Sequence, residues 1–427
     1  MIKHLVNAGL TLSLKSLLRF YPAPEPQVFR GEGAMEELAR HAALEGDLEA
    51  ILLITSKRFD VAAIVDVFEA SGVRVETFTD VPPNPSLEVV EQGADLCRAT
   101  NCGAIYAYGG GSILDAAKGI AAQVGNQVPA RKLIGLFKMR RKALPLFAVP
   151  STSGSGSEVS NAAVLSDPQS HQKQFLFDHK VVPLAIALDP RATVTLPPGM
   201  TAATGMDALT HAVESYVSRV SDERSERLAV SAVSAIFASL PEAYRAGGDL
   251  AARQRMAVAA YEAGVAFTRS GLGFVHAISH QLTAFYGIPH GVANAVLLSH
   301  VLAASKSKAA PALAKLARSV GIADEGRGDH HLADRFIGEV RDLSAELDLP
   351  RAFPEMDPGD FTTIAENAIK EATWNFPVPT MLSPRQCREI LGAVRDGLPE
   401  ENLQVPEPER GTPSEGEGSR LHESLVG

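Results

Sequence analysis

Over the first 190 residues, short apolar runs alternate with segments of helical periodicity. The runs Ile51–Ile54, Val73–Phe78, Ala104–Tyr108, Leu146–Val149 and Leu184–Leu188 have the length and continuity of strands buried on both faces. Between them, Val61–Ala70, Leu87–Ala99 and Ile113–Val124 repeat apolar residues at helical spacing. That rhythm predicts βαβ units and a parallel, Rossmann-like sheet. Asp189-Pro190 and then Leu196-Pro197-Pro198-Gly199 stop it. From Met200 the pattern becomes all-α, with long Ala/Leu/Val-rich segments at Met206–Val217, Glu226–Leu240, Ala251–Phe267 and Val292–Ala304. The expected organisation is an N-terminal extension (1–22), an α/β domain (23–192), an all-helical domain (193–398) and a tail (399–427). A length of 427 residues fits two cores better than one.

Composition adds bounds. Apolar residues make up 45% and charged residues 21%, as expected for a globular protein. Of the net charge of -10, about half sits between Glu400 and Gly427, where seven Glu meet two Arg. The body is therefore only mildly acidic, and no global basic surface points to nucleic acid. The tail's Pro/Glu/Gly/Ser mixture predicts disorder. Cys97, Cys102 and Cys387 form no CxxC pair, which argues for a reducing, cytoplasmic setting and buried inert thiols rather than a redox pair. No apolar run is long enough to span a bilayer. Residues 1–20 carry Lys3, Lys15 and Arg19 with polar interruptions, which suits an amphipathic helix docked on the body. A membrane-surface anchor is the alternative.

Two small-residue loops fall where open α/β sheets bind ligands, at carboxyl ends of predicted strands. Ala104–Tyr108 runs into Gly109-Gly110-Gly111-Ser112 and then a helix, whose free N–H groups suit a pyrophosphate. Ser112 is placed as its N-cap, with Asp115 three residues on. A glycine triplet also makes tight turns that hold nothing. Leu146–Val149 runs into Pro150-Ser151-Thr152-Ser153-Gly154-Ser155-Gly156-Ser157-Glu158. Such a run often means a flexible linker, but two of these loops together favour a dinucleotide-binding domain.

The helical half carries the sharper chemistry. Asp207 and His211 are i and i+4 on one helix, and so are His276 and His280 on another. His290 follows at a Gly287-Ile288-Pro289-His290-Gly291 turn. Isolated histidines of this kind are usually surface or hydrogen-bonded core groups. Several on Ala/Gly-rich helices are costly to bury without a shared purpose, and a divalent cation supplies one. Imidazole plus one carboxylate suits iron(II), zinc, cobalt or nickel, while oxygen donors are too few for calcium.

These motifs resemble the iron-containing (group III) alcohol dehydrogenase family. The resemblance runs from Pro26 to about Ala393 through Pro83-Asn84-Pro85, Gly109–Lys118, Gly156-Ser157-Glu158-Val159, Thr204–Glu214 and Gly273–His300. It implies Asp207, His211, His276 and His290 as metal ligands, with Fe2+ the first expectation and Zn2+ the alternative. It implies NAD or NADP as cofactor, with Asn84, Gly109, Gly110, Gly111, Ser112, Thr152, Ser153 and Ser157 lining its site. Ser56, Asp115 and Lys173 join them as candidate contacts. His280 is assigned to proton relay or cofactor contact. The implied reaction is hydride transfer between NAD(P)(H) and a small alcohol or aldehyde, in a homo-oligomer.

Departures from the family pattern carry information. Many members have an Asp where this chain has Ser56, followed here by Lys57 and Arg58. Losing that carboxylate and gaining two cations predicts acceptance of NADP(H), unless both cations merely face solvent. Arg269 replaces a common Asn, either to meet an anionic substrate or as a plain helix-surface group. Phe274, Phe285, Tyr286 and Trp374 are expected pocket walls. Rival readings are a dehydroquinate synthase-like lyase, a metal-free maleylacetate-type reductase and a nucleotide-binding regulator. The complete Asp/His set disfavours all three.

Overall fold

The computed structural model describes residues 23–400 apart from 47, 168–171 and 324–325. The N-terminal extension and tail residues 401–427 therefore lie outside the described residues. Of the expected tail, Glu400 is instead packed against the body, with its carboxylate 2.9 Å from the Arg341 guanidinium.

The α/β half contains β1 (Gln27–Arg30), α1 (Ala34–Ala43), β2 (Ala50–Ile54), α2 (Ala62–Ala70), β3 (Arg74–Phe78), α3 (Leu87–Ala99), β4 (Ala104–Gly109) and α4 (Gly111–Asn126). It continues with β5 (Gly135–Leu136), β6 (Leu146–Pro150), β7 (Ala162–Asp167), β8 (Gln172–Phe177) and β9 (Ala185–Leu188). Six strands form one sheet in the order β1-β9-β6-β4-β2-β3, and every pairing in it is parallel. All five residues of β2 are buried because helices cover both faces. Leu52 and Ile54 enter the core under α3 and α4, while Ile51 and Leu53 enter the one under α1 and α2.

β3 lies on one side of β2 and β4 on the other, so the chain reverses direction across the sheet there. The crevice outside the carboxyl ends of β2 and β4 is a topological switch point, where such sheets bind ligands. This is the flavodoxin-like strand order, with β1 added at one edge, rather than the dinucleotide order of the GxGxxG proteins. A small second sheet, β5-β8-β7, includes an antiparallel β7–β8 pair. It is tied to α4 by Lys118, whose buried ammonium donates to the Ser160 and Ala162 carbonyls at 2.8 Å each.

The second half is helical among the described residues: α5 (Pro198–Val217), α6 (Glu223–Arg245), α7 (Leu250–Ser270), α8 (Phe274–Tyr286), α9 (His290–Ser319), α10 (Asp329–Glu346), α11 (Phe361–Asn375) and α12 (Pro384–Asp396). They share one core, built from α5 through α12. No helix among the described residues is long and apolar enough to cross a membrane.

Two local expectations need correction. Helix α4 starts at Gly111 with Gly110 as N-cap, so Ser112 lies inside the first turn and caps nothing. Its hydroxyl instead accepts from the Asn84 backbone N–H at 3.3 Å. His290 is not in a turn but is the first residue of α9, behind Pro289, which has no N–H to satisfy. The Ser/Gly run is no flexible linker. Gly156 has φ +62, and a Cβ there would stand 2.8 Å from Phe267 and 2.9 Å from the Gly264 backbone.

Candidate active site

Helix α5 begins the site. Asp207, His211 and Glu214 fall at i, i+4 and i+7, so one buried stripe carries three polar side chains. Facing helices α8 and α9 bring in His276 and His290. The close crossing needs Gly291, since a Cβ there would stand 2.3 Å from the Ala203 carbonyl oxygen of α5.

The ring nitrogens are sorted by their partners. His211 Nδ1 lies 3.2 Å from the Gly154 carbonyl, and His276 Nδ1 lies 2.6 Å from Glu214. A carbonyl and a carboxylate only accept, so each Nδ1 carries the hydrogen and each Nε2 keeps a lone pair. His290 Nδ1 meets the Ser279 hydroxyl at 3.3 Å, and that hydroxyl donates to the His276 carbonyl. Burial lowers the affinity of all three rings for a second proton. His276 lies well below the usual imidazole value, with the neighbouring histidines adding to the effect. His211 is lowered by burial against the opposing pull of Asp207, and His290 drops to about 3, mainly through burial.

Those lone pairs converge. Asp207 Oδ1 lies 3.6 Å from His290 Nε2, and 3.9 Å from the Nε2 of both His211 and His276. Donor atoms of Asp207, His276 and His290 all fall within 4.8 Å of one another. His211 stands outside that group of three, beside it, with its ring stacked on His276 at 4.7 Å between centroids. Tetrahedral bonds of about 2.1 Å give donor separations of about 3.4 Å, so small shifts let one ion reach these atoms. Three neutral imidazoles and one carboxylate, buried except for a partly exposed His290, suit a divalent transition metal.

Residues beyond the expected set hold this arrangement. Glu214 accepts from the Gly273 and Val275 backbone N–H groups at 2.8 and 2.7 Å, and from His276 Nδ1. Burial pushes its carboxyl up to about 8, while those donors at the α8 N-terminus favour the carboxylate. Phe267 stacks on His211 at 4.5 Å between centroids. Asn294 of α9 directs its Nδ2 at Asp207 Oδ1 (2.7 Å) and toward the Nε2 atoms of His290 (3.2 Å) and His276 (3.4 Å). The motif around Glu214 was recognisable in sequence, but no role for it was. Nothing in sequence marked Phe267 or Asn294.

His280 stands apart from the convergent donors. Its ring stacks on His290 at 5.2 Å, and its Nδ1 meets Glu371 of α11 at 2.7 Å. Lys173 on β8 lies in the field of both Glu371 and Asp115, and burial lowers its ammonium pKa.

The two small-residue loops adjoin the histidine cluster. A Cβ on Gly110 would stand 3.3 Å from Thr152, and one on Gly111 would stand 3.0 Å from Ser155. Ser153 and Ser157 are buried. Asp115 has both oxygens committed inside the protein, accepting from Ser157 Oγ at 2.6 Å and from Val164 N–H at 3.1 Å. Asn84 adopts φ +54 beside Ser112. Because Gly154 bonds His211, one loop touches both the strand end and the histidine helix.

Other expected residues lie elsewhere. Lys57 is exposed and 2.9 Å from Asp80, while the Arg58 backbone N–H donates to Ser56 Oγ at 3.3 Å, which keeps this second cation beside Ser56. Arg269 pairs with Asp222, the N-cap of α6. Phe274 belongs to the buried helical core, and the Tyr286 hydroxyl is held by Asp360 at 2.8 Å. Phe285 and Trp374 are exposed. Cys97, Cys102 and Cys387 are free and buried.

A switch point in a parallel sheet, joined through Gly154 to an Asp/His cluster, pairs a nucleotide-binding type of fold with a candidate metal site. Residues 24–190 match the iron-containing alcohol dehydrogenase family, and residues 201–394 match its Fe-containing C-terminal part. Alcohol dehydrogenase 4 of Saccharomyces cerevisiae is 35% identical over 388 residues, covering 88% of this chain and 98% of its own. The NAD-dependent methanol dehydrogenase of Bacillus methanolicus is 32% identical over 375 residues, covering 86% and 97%. A crystal structure of 1,3-propanediol oxidoreductase superposes with TM-score 0.84 at 31% identity, covering 87% of this chain and 99% of that one. The chain belongs to the iron-containing alcohol dehydrogenase family.

Proposed function

We propose that this protein is an NAD(P)-dependent alcohol dehydrogenase and aldehyde reductase. Its centre would be one divalent metal held by Asp207, His211, His276 and His290, with iron(II) the first expectation and zinc the alternative. The observation that carries this reading is the orientation of the imidazoles, with proton-bearing Nδ1 atoms turned outward and Nε2 lone pairs turned in on Asp207. When bound, the cation supplies Lewis acidity toward the alcohol or carbonyl oxygen, and the nicotinamide accepts or delivers the hydride.

The chain's own residues do the rest. Helix α4 offers its N-terminal N–H groups to the pyrophosphate, with Gly109, Gly110, Gly111 and Ser112 leaving room for it. Thr152, Ser153 and Ser157 lie along the neighbouring loop, with Ser157 fixed by Asp115. Glu214, Gly154 and Ser279 hold the imidazole tautomers. Glu371 bonds His280 Nδ1, which leaves Nε2 free to pass a proton between the reacting oxygen and solvent. His280→Ala is expected to lower kcat at least tenfold with metal content unchanged; a smaller loss removes His280 from the proton path.

The substrate class is a small alcohol or aldehyde. With no acidic residue at position 56 and Arg58 beside it, both NAD(H) and NADP(H) are accepted. Three buried free thiols suit a reducing, cytoplasmic compartment, and a homo-oligomer is the expected assembly. The test is a panel of short-chain aldehydes assayed by NADH and NADPH absorbance, before and after chelation. Chelator-sensitive oxidation of either cofactor is the expected result. Its absence with every aldehyde would overturn the reading.

A further inference from the structure

Asn294 lies one turn after His290 on α9 and is fully buried. Its carboxamide has two unlike ends. Nδ2 faces Asp207 Oδ1 and the Nε2 atoms of His290 and His276, all of them lone-pair atoms. Oδ1 is buried with no hydrogen-bond partner. An orphaned amide oxygen in a dry site is costly, by about 1–3 kcal/mol. An amide N–H directed at donors that a cation would share is also the wrong charge for a neighbour of that cation. Half a turn about the last side-chain bond corrects the second fault, since it exchanges Nδ2 and Oδ1 in nearly the same volume and brings the oxygen to those donors, with the NH2 group left where Oδ1 had no partner.

Resting on the metal-site reading above, we propose that Asn294 is a reversible oxygen donor to that site. Without a cation its NH2 group holds Asp207 and the two imidazoles together. With a cation it turns over and offers Oδ1. The inward lone pairs are thus satisfied in both states, and the amide sets how tightly the site binds its metal.

The test is binding of cobalt(II) to metal-stripped protein, read against a competing chelator, for wild type, Asn294→Leu and Asn294→Asp. Melting of each stripped protein checks folding. Leucine keeps the volume and offers no donor, so cobalt is expected to bind at least tenfold more weakly, the scale seen when groups around metal ligands are lost. Aspartate keeps the shape and offers a permanent oxygen, so it is expected to bind cobalt at least tenfold more tightly while melting lower when stripped, because its charge then faces Asp207. A residue that only packs would weaken binding in both variants. Leucine within threefold of wild type, or aspartate weaker than wild type, overturns the assignment of Asn294. Wild type that binds no cobalt overturns the metal-site reading itself.

Discussion

Among single side chains, Glu214 has the largest leverage on the site. Both its oxygens accept from N–H groups, so Glu214→Gln must turn its NH2 group onto another donor. The expected outcome is a 10- to 100-fold loss of metal affinity, measured as metal retained against a chelator, because His276 loses the group that fixes its tautomer. Cofactor choice is also a residue-scale matter. Ser56→Asp restores a carboxylate at the end of β2, and kcat/KM with NADPH is expected to fall at least tenfold while that with NADH holds or rises. Equal losses with both would show that position 56 does not read the ribose. Asp207, His211, His276 and His290 were legible because i, i+4 spacing and family motifs both mark them. Glu214 falls on the same periodic stripe, but the backbone N–H groups and the His276 ring it serves come from α8 and leave no mark beside it in sequence. Phe267 and Asn294 were invisible, since an aromatic and an amide on apolar helices read as core until their neighbours are known.

At the level of elements, helix crossings and loop contacts matter more than any single helix. The α5–α9 approach depends on Gly291, so Gly291→Ala must push the Ala203 carbonyl away. Overpacking of this kind costs about 1–3 kcal/mol, and a lower melting temperature with looser metal binding is the expected readout. An unchanged melt would mean that the crossing relaxes freely. The buried strands and the helices between them were read from sequence to within about two residues, because a run such as Ala-Ile-Leu-Leu-Ile admits few structures once helices flank it, whereas α5 begins eight residues before the stretch read, α9 runs fifteen past it, and α10, α11 and α12 were not singled out. The weak elements were missed. β1 is a four-residue edge strand, and β8 (Gln-Lys-Gln-Phe-Leu-Phe) has a polar first half that carries no strand period. The N-cap of α4 was misplaced for a related reason: Ser112 has capping chemistry, but Gly111 ahead of it is already in the helix.

For the whole molecule, the buried imidazoles make folding sensitive to acid when no metal is bound. In the folded chain His290 titrates near 3, and His211 and His276 are also depressed, against an unfolded value of 6.5. Between those limits the unfolded chain binds more protons, so the stability these groups contribute is present above 6.5 and is lost as pH falls. The raised Glu214 carboxyl works the other way across the same range, so the melting temperature of the stripped protein is expected to drop more between pH 7.5 and pH 5 than that of stripped His290→Phe. Equal changes in both would show that the His290 ring is not held neutral. The same burial favours a cation at neutral pH, because no proton has to be displaced from Nε2. Both halves of the molecule meet at this point, through the bond from His211 to the Gly154 loop.

The most direct measurement of the central claim is anomalous scattering from a crystal of the protein loaded with iron or zinc. The account predicts a single strong peak per chain, bonded to Asp207, His211, His276 and His290, with the Asn294 amide oxygen turned toward it. A peak elsewhere, or none after loading at neutral pH, would contradict it.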